Sequence, residues 1–160
     1  MTTYPPASLV KVITLATLLI GTLDISEVFL FYGLRGVRPI LIPQSIASGV
    51  LGRSSFGMGL RSALLGMALH YFISFVVVGL YLLASRRLPL HRHPFFYGAL
   101  YGIVVYFVMN NIVIPLSRQH PPQHFFLAPF LNGLAASIFV IGIPTAIIAR
   151  RFLGPEFAKQ

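Results

Sequence analysis

The sequence predicts an all-α, integral membrane four-helix bundle with an additional short helix between the first and second spans. The chain of 160 residues is 56% hydrophobic and only 9% charged, with a mean hydropathy of +0.83. A soluble domain of this composition would have too little polar surface to cover its apolar mass. The apolar residues fall into four runs, each long enough to cross a hydrocarbon core of roughly 30 Å at about 1.5 Å per residue.

Composition also excludes several classes of protein. The chain is too short for a catalytic domain beside the bundle, so we expect residues 1–160 to form a single membrane domain. Cysteine is absent, which excludes disulfides, thiol catalysis and thiolate metal sites. The net charge of +9 does not indicate nucleic-acid binding, because the 12 Lys and Arg residues fall mostly at the ends of apolar runs. This distribution is typical of topology determinants and of contacts with membrane lipids.

The first span is predicted over residues 12–34 and contains two carboxylates, Asp24 and Glu27. Lys11 precedes it as in a signal peptide, but the absence of a small-residue cleavage site favours an uncleaved helix. A carboxylate near mid-membrane costs on the order of 2.5–3.5 kcal/mol on insertion scales. We therefore expect both acids to face protein or a hydrated cavity, either in a functional role or as structural hydrogen-bonding groups.

The connection over residues 35–61 is too apolar to be a free loop. In residues 40–52, Pro43 is positioned to begin a helix and Gly52 to end it. A segment of about a dozen residues cannot span the membrane. It is therefore predicted to form an interfacial or re-entrant helix.

The remaining spans are predicted over residues 62–85, 95–116 and 129–149. His70 is the titratable residue of the second span, and Pro144 predicts a kink in the fourth. Arg150 and Arg151 are expected to end the fourth span. A Pro-rich, irregular linker is expected before it.

Four spans place both termini on one side of the membrane. Seven Lys and Arg residues lie on that side and five on the other: Lys11, Arg86, Arg87, Arg92, Arg150, Arg151 and Lys159 against Arg35, Arg38, Arg53, Arg61 and Arg118. The positive-inside rule therefore predicts that both termini are cytoplasmic.

Depth and helix face together predict where the polar side chains meet. Counting along the spans places Asp24 and His70 nearly level, with Glu27 one turn closer to the outer surface and on the same face as Asp24. Two stripes of small and polar residues are expected to face the bundle interior, because small residues allow close packing of membrane helices. They are Ser62, Gly66, His70 and Ser74 on the second span and Gly98, Gly102, Tyr106 and Asn110 on the third.

These placements predict a polar chamber in the outer half of the bundle that binds a ligand or protons. Its residues are Asp24, Glu27, His70, Tyr106 and Asn110, with Asn111 and Asn132 as further candidates. Two carboxylates one turn apart in a low dielectric should not both be charged, and His70 could share a proton with Asp24. Asp24 and His70 could equally form an inert, buried hydrogen-bonded pair with no role in binding. Interhelical hydrogen bonds are expected for Asn110 and Asn111.

Catalytic and metal-binding motifs are not found in the sequence. It contains no nucleotide-binding loop, nucleophile elbow or zinc-protease motif, and we assign no catalytic residue. His120 and His124 have the spacing of a helical metal-binding pair, but Pro121 and Pro122 lie between them and argue against a helix. No metal and no other cofactor is predicted.

Three functions remain open. The leading hypothesis is a carrier or channel-like protein, forming a homo-oligomer, that binds a small polar or cationic ligand or a proton. The second is a structural or accessory subunit that docks a larger membrane partner through the small-residue stripes and residues 40–52. The third is a lipid-acting enzyme with Asp24 or His70 as base. The sequence shows no recognisable nucleophile or set of metal ligands, which argues against this hypothesis.

Five short stretches of the chain share a pattern with one family of membrane proteins. They are Gly21-Thr22-Leu23-Asp24, Gln44-Ser45-Ile46-Ala47-Ser48-Gly49, Ala68-Leu69-His70, Ala84-Ser85-Arg86-Arg87 and Val108-Met109-Asn110. Through them the chain resembles a family of small, uncharacterised four-span bacterial inner-membrane proteins. The resemblance implies a bacterial inner membrane and places Asp24, His70 and Asn110 in the family's recurrent stretches. It implies no activity, and the role of Glu27 depends on spacing alone.

Overall fold

Five helices make up the part of the chain that the structure describes. A computed structural model describes residues 6–119 and 126–157, and the regular elements in these ranges are all helical. The helices are α1 (Pro6–Gly33), α2 (Leu41–Leu51), α3 (Leu60–Ser85), α4 (Pro94–Leu116) and α5 (residues 127–157). All except α2 are long and apolar enough to cross a membrane. The predicted all-α four-span bundle with an extra short helix is confirmed.

Two spans extend beyond their predicted ends. α1 begins at Pro6, and α5 continues through Arg150 and Arg151. Proline is well suited to the first turn of a helix, and Lys and Arg are favourable helix residues. Basic residues therefore do not end these helices, although they mark where the apolar sequence stops.

The short helix α2 packs directly against the first turns of α3. Gly66 makes this possible, because a Cβ at this position would overlap the Pro43 carbonyl oxygen. Gly52, at φ +64°, ends α2 as the sequence predicts, and a 3₁₀ segment, Gly52–Gly57, leads on towards α3. Pro43 lies within the first turn of α2 and not before it.

A buried polar network joins α2 to α3. The Gln44 side chain is 2% exposed, and its Nε2 donates to the Gly59 carbonyl at 2.9 Å. Ser55 donates to the Gln44 carbonyl at 2.9 Å, and Ser62 donates to the Ser55 carbonyl at 2.6 Å. Because these polar groups satisfy one another, α2 is held in a fixed position on α3.

Helices α4 and α5 cross with their backbones in contact. A Cβ at Gly98 would lie 2.8 Å from the Ile143 Cα, and one at Gly102 would lie 2.7 Å from the Ile138 Cα. A Cβ at Gly142 would overlap the Gly98 carbonyl oxygen. The predicted packing role of Gly98 and Gly102 is therefore confirmed, with α5 as the partner.

Both α4 and α5 contain a π-helical turn that closely precedes a proline. The turn Met109–Val113 comes before Pro115, and the turn Ser137–Gly142 comes before Pro144. Proline lacks an N–H donor, and its ring clashes with the carbonyl four residues earlier, so a regular α-helix cannot continue undisturbed through it. At Pro144 the predicted irregularity takes the form of a widened turn.

The buried apolar core lies in one half of the bundle, which we call the terminal half because it carries the described chain ends. This core contains Ile13, Ala16, Ile20, Val78, Tyr81, Leu82, Ala146 and Ala149. The opposite half, which we call the distal half, contains α2 and the distal ends of the four spans. Its interior is occupied by a cavity.

Candidate functional site

A cavity of about 950 Å³, which we call the distal cavity, lies between α1, α3, α4 and α5 in the distal half. Its lining extends along α1 from Ile20 to Tyr32, roughly 18 Å at the helical rise. This is more than half of a hydrocarbon core of about 30 Å. The seven predicted site residues all line it: Asp24, Glu27, His70, Tyr106, Asn110, Asn111 and Asn132.

Asp24 lies in the cavity wall, and its carboxylate has no hydrogen-bonding partner among the described residues. Its side chain is half-buried, and no hydrogen bond or ion pair reaches its carboxylate from residues 6–119 and 126–157. Its nearest titratable neighbours are His70 and Glu27, which act on it through space. The Asp24 carboxylate is therefore available to water, a proton or a ligand in the cavity.

His70 is 8% exposed and bonds to the backbone of α1 instead of to Asp24. Its Nε2 lies 2.8 Å from the Gly21 carbonyl oxygen. Since a carbonyl only accepts, Nε2 carries the proton and Nδ1 is the ring nitrogen left for another partner. The predicted alignment of His70 with Asp24 is confirmed to within one helical turn, but the described residues show no hydrogen bond between the two side chains.

A second hydrogen bond between α1 and α3 lies at the same level. The hydroxyls of Thr22 and Tyr71 are 2.9 Å apart. A Cβ at Gly21 would lie 3.1 Å from the Tyr71 ring, so the small residue allows this close approach. Together the two bonds fix α3 against α1 at this level, and of the residues that make them His70 is the one that lines the cavity.

Glu27 is joined to α5 by a hydrogen bond from Asn132. The Asn132 Nδ2 donates to the Glu27 Oε1 at 2.8 Å. The two cavity acids therefore differ, because the Glu27 carboxylate has a protein donor and the Asp24 carboxylate has none among the described residues. Asn132, a secondary candidate in the sequence, is the side chain that creates this difference.

The predicted interhelical hydrogen bonds of Asn110 and Asn111 are wrong for the described residues. The Asn110 Nδ2 donates within its own helix to the Tyr106 carbonyl at 2.8 Å, and both asparagines are exposed. Short Asn side chains readily bond to a carbonyl one turn earlier. The Tyr106 ring packs edge-on against Phe130, with 5.6 Å between ring centroids.

Among the cavity residues outside the predicted set, two belong to a sequence pattern that could have found them. Gly133 and Ser137 both line the cavity, and their i, i+4 spacing on the fourth span repeats the small-residue pattern seen on the second. Ser137 also begins the π-helical turn of α5. Such turns occur frequently at functional sites.

Metal ligands are not grouped in the described part of the chain. No three His, Cys, Asp or Glu side chains within it are arranged to hold a metal ion. His120 and His124 lie outside the described residues. The chemistry available in the cavity is therefore that of carboxylate, imidazole, amide and hydroxyl groups.

Length and composition of the four long helices define the class of the chain as a multi-pass membrane protein. No protein-family model, curated protein or solved structure matches it. The four long helices are compatible with the predicted resemblance to a four-span family, and membership of that family stays a prediction.

Proposed function

We propose that the chain is a small membrane carrier that binds a proton or a small polar or cationic ligand in the distal cavity. One observation carries the proposal: the half-buried Asp24 carboxylate faces a cavity of about 950 Å³ with no hydrogen-bonding partner among the described residues. Charged side chains within spans are rare and usually face a watery pathway or a partner. A cation or a proton would supply the missing partner.

The other polar residues of the lining differ in whether they connect two helices. The hydrogen bonds made by His70 and Glu27 hold the wall in place, while Asn110, Asn111 and the Tyr106 ring line the cavity beyond them. Below Ile20, the terminal half is filled by the apolar core. The core therefore closes the cavity towards the terminal half, and a carrier with this cavity would need a second state to open that end.

The test is transport in proteoliposomes with two probes, protons followed by a trapped pH dye and radiolabelled guanidinium. We expect wild-type protein to transport at least one probe and Asp24→Asn to lose most of that flux. Glu156→Gln, which changes the third acid of the sequence, is the control and should transport like wild type. Equal flux through Asp24→Asn and wild-type protein would contradict the proposal.

We also propose that the protein forms a homo-oligomer in a bacterial inner membrane, with both termini cytoplasmic. The cavity reaches only part of the way along α1, so a complete path through one copy would need a large rearrangement. The basic residues favour cytoplasmic termini. Crosslinking in native membranes tests the oligomer, and terminal fusions to a reporter that is active only in the cytoplasm test the orientation.

The alternative of an accessory subunit has less support. Gly66 contacts α2, while Gly98 and Gly102 contact α5, so these glycines are already used within the chain. They are not free to dock a larger partner. A second protein that co-purifies in fixed stoichiometry in mild detergent would nevertheless favour this alternative over the carrier.

A further inference from the structure

A second cavity, of about 490 Å³, lies in the terminal half between α1, α3 and α5. Most of its lining is apolar: Leu9, Val12, Leu15, Ala16, Leu19, Leu82, Ile148 and Phe152. Two cations, Lys11 and Arg86, complete it. It shares no residue with the distal cavity. We call it the terminal groove.

The length of the terminal groove matches one leaflet of a bilayer. Its lining on α1 extends from Leu9 to Leu19, roughly 15 Å at the helical rise. A hydrocarbon core is about 30 Å thick, so the groove covers the depth of one layer of acyl chains. Leu15 and Leu19 are more than half exposed, which leaves the groove accessible from the side.

The two cations stand at the end of the groove where a lipid headgroup would lie. Lys11 is in the second turn of α1, and Arg86 directly follows the last residue of α3. Asp24 and Glu27, the two carboxylates whose side chains the structure describes, both line the other cavity, and no ion pair joins either of them to Lys11 or Arg86. Basic pockets between membrane helices attract the phosphates of anionic lipids.

We propose that the terminal groove binds one anionic phospholipid, with an acyl chain along α1 and the phosphate between Lys11 and Arg86. Charge complementarity and the one-leaflet length select this occupant. A zwitterionic lipid such as phosphatidylcholine also carries a phosphate, but its choline cation cancels the net negative charge that Lys11 and Arg86 would attract. A soluble anion would pair with the cations but leave the apolar wall empty.

The chain contains no tryptophan, so one introduced indole can report on lipid in the groove. Leu19→Trp places it in the groove, and Leu18→Trp places it at almost the same depth on another face of α1. The two leucines are similarly exposed, at 55% and 52%. Each variant is reconstituted into phosphatidylcholine vesicles containing a minor fraction of phosphatidylglycerol with brominated acyl chains, which quench tryptophan on contact.

We expect brominated phosphatidylglycerol to quench Leu19→Trp more strongly than Leu18→Trp. Brominated phosphatidylcholine at the same fraction should quench both variants equally. Adding Lys11→Gln and Arg86→Gln should lower the apparent affinity for phosphatidylglycerol on the order of 30-fold, because each cation contributes about 1 kcal/mol near an anionic lipid. The control variant with Arg87→Gln and Arg92→Gln loses the same charge outside the groove. In this control background, phosphatidylglycerol should still quench Leu19→Trp more strongly than Leu18→Trp.

Three results would overturn the proposal. They are equal quenching of the two tryptophans by phosphatidylglycerol, an equally large difference between them with zwitterionic phosphatidylcholine, or an equal loss of affinity for phosphatidylglycerol in the Arg87/Arg92 control. Native mass spectrometry of the Leu19→Trp protein gives an independent readout, since a retained phosphatidylglycerol should disappear with Lys11→Gln and Arg86→Gln. This outcome is independent of transport through the distal cavity.

Discussion

The two ends of α1 lie in opposite environments. From Leu9 to Leu19 the helix lines an apolar groove closed by cations, and from Ile20 to Tyr32 it lines a cavity that contains the carboxylates. Ile20, at 1% exposed, belongs to the buried core and also lines the distal cavity, so the change occurs there. The polar and apolar side chains of α1 that line the two cavities are therefore separated along the helix axis and not only around it.

The same boundary separates two kinds of packing. In the terminal half, backbones and apolar side chains are in direct contact beside the terminal groove, as at Gly142 and in the core around Leu82. In the distal half, hydrogen bonds such as that between Glu27 and Asn132 connect helices around open space. The comparison predicts that matched substitutions should have unequal effects in the two halves.

The largest difference is expected between two glycines of α5. Gly142→Ala would force α4 and α5 apart, because its Cβ would meet backbone atoms, and we expect a loss of at least about 3 kcal/mol. Gly133→Ala would meet only the ring of Tyr106, which can move, so we expect a change below about 1 kcal/mol. Unfolding in detergent followed by circular dichroism measures both. Equal losses would remove the contrast between the halves.

A smaller difference is expected for two truncations on α3. Leu82 is fully buried, and Leu82→Ala should cost about 2 kcal/mol, the low end of the soluble range, because lipid weakens the hydrophobic term but not the loss of packing. Ile73→Ala only enlarges an existing cavity and should cost less than about 1 kcal/mol. The same unfolding assay applies. A larger loss for Ile73→Ala would show that the distal half is packed as tightly as the terminal half.

The hydrogen bond between Asn132 and Glu27 should contribute less again. Asn132→Leu should cost about 1 kcal/mol, in the range measured for hydrogen bonds between membrane helices. Asn111→Leu is the control, since the described residues show no hydrogen bond to that exposed side chain. If Asn132→Leu and Asn111→Leu unfold alike, the bond does not stabilise the distal half.

The mildest test replaces two serines of α3 by cysteine, one at a time. The chain has no cysteine of its own, so each variant carries a single thiol. Ser74 lines the distal cavity, whereas Ser85 is 1% exposed in the terminal half. A hydrophilic thiol reagent should modify Ser74→Cys quickly and Ser85→Cys slowly, with little change in stability. Similar rates would mean that water reaches both halves.

Sequence reasoning predicted the helices and seven of the residues that line the distal cavity, because both predictions depend on local patterns. The lengths of the apolar runs predicted the four spans. Counting residues at the helical rise predicted that Asp24 and His70 lie at similar depths, and His70 bonds to Gly21, one turn from Asp24. The helix faces that point into the bundle could be predicted from stripes of small residues at i, i+4 spacing. Gly66 and Gly102, which belong to these stripes, pack against other helices.

The specific hydrogen bonds could not be predicted in the same way. His70 bonds to the Gly21 carbonyl, and a sequence shows only side chains as candidate partners. Asn132 reaches Glu27 from a helix that is distant in the sequence, so its partner depends on the packing of α1 and α5. The π-helical turns likewise depend on tertiary packing as well as on the prolines that follow them.

The contact between Gly66 and Pro43 has a consequence for comparing sequences. A side chain at position 66 and the observed placement of α2 exclude each other, because even a Cβ would overlap the Pro43 carbonyl. Ile46 of α2 lines the distal cavity, so its wall depends on a residue that does not line it. In any relative, glycine at position 66 therefore distinguishes chains that can build this wall from chains that must close the cavity in another way.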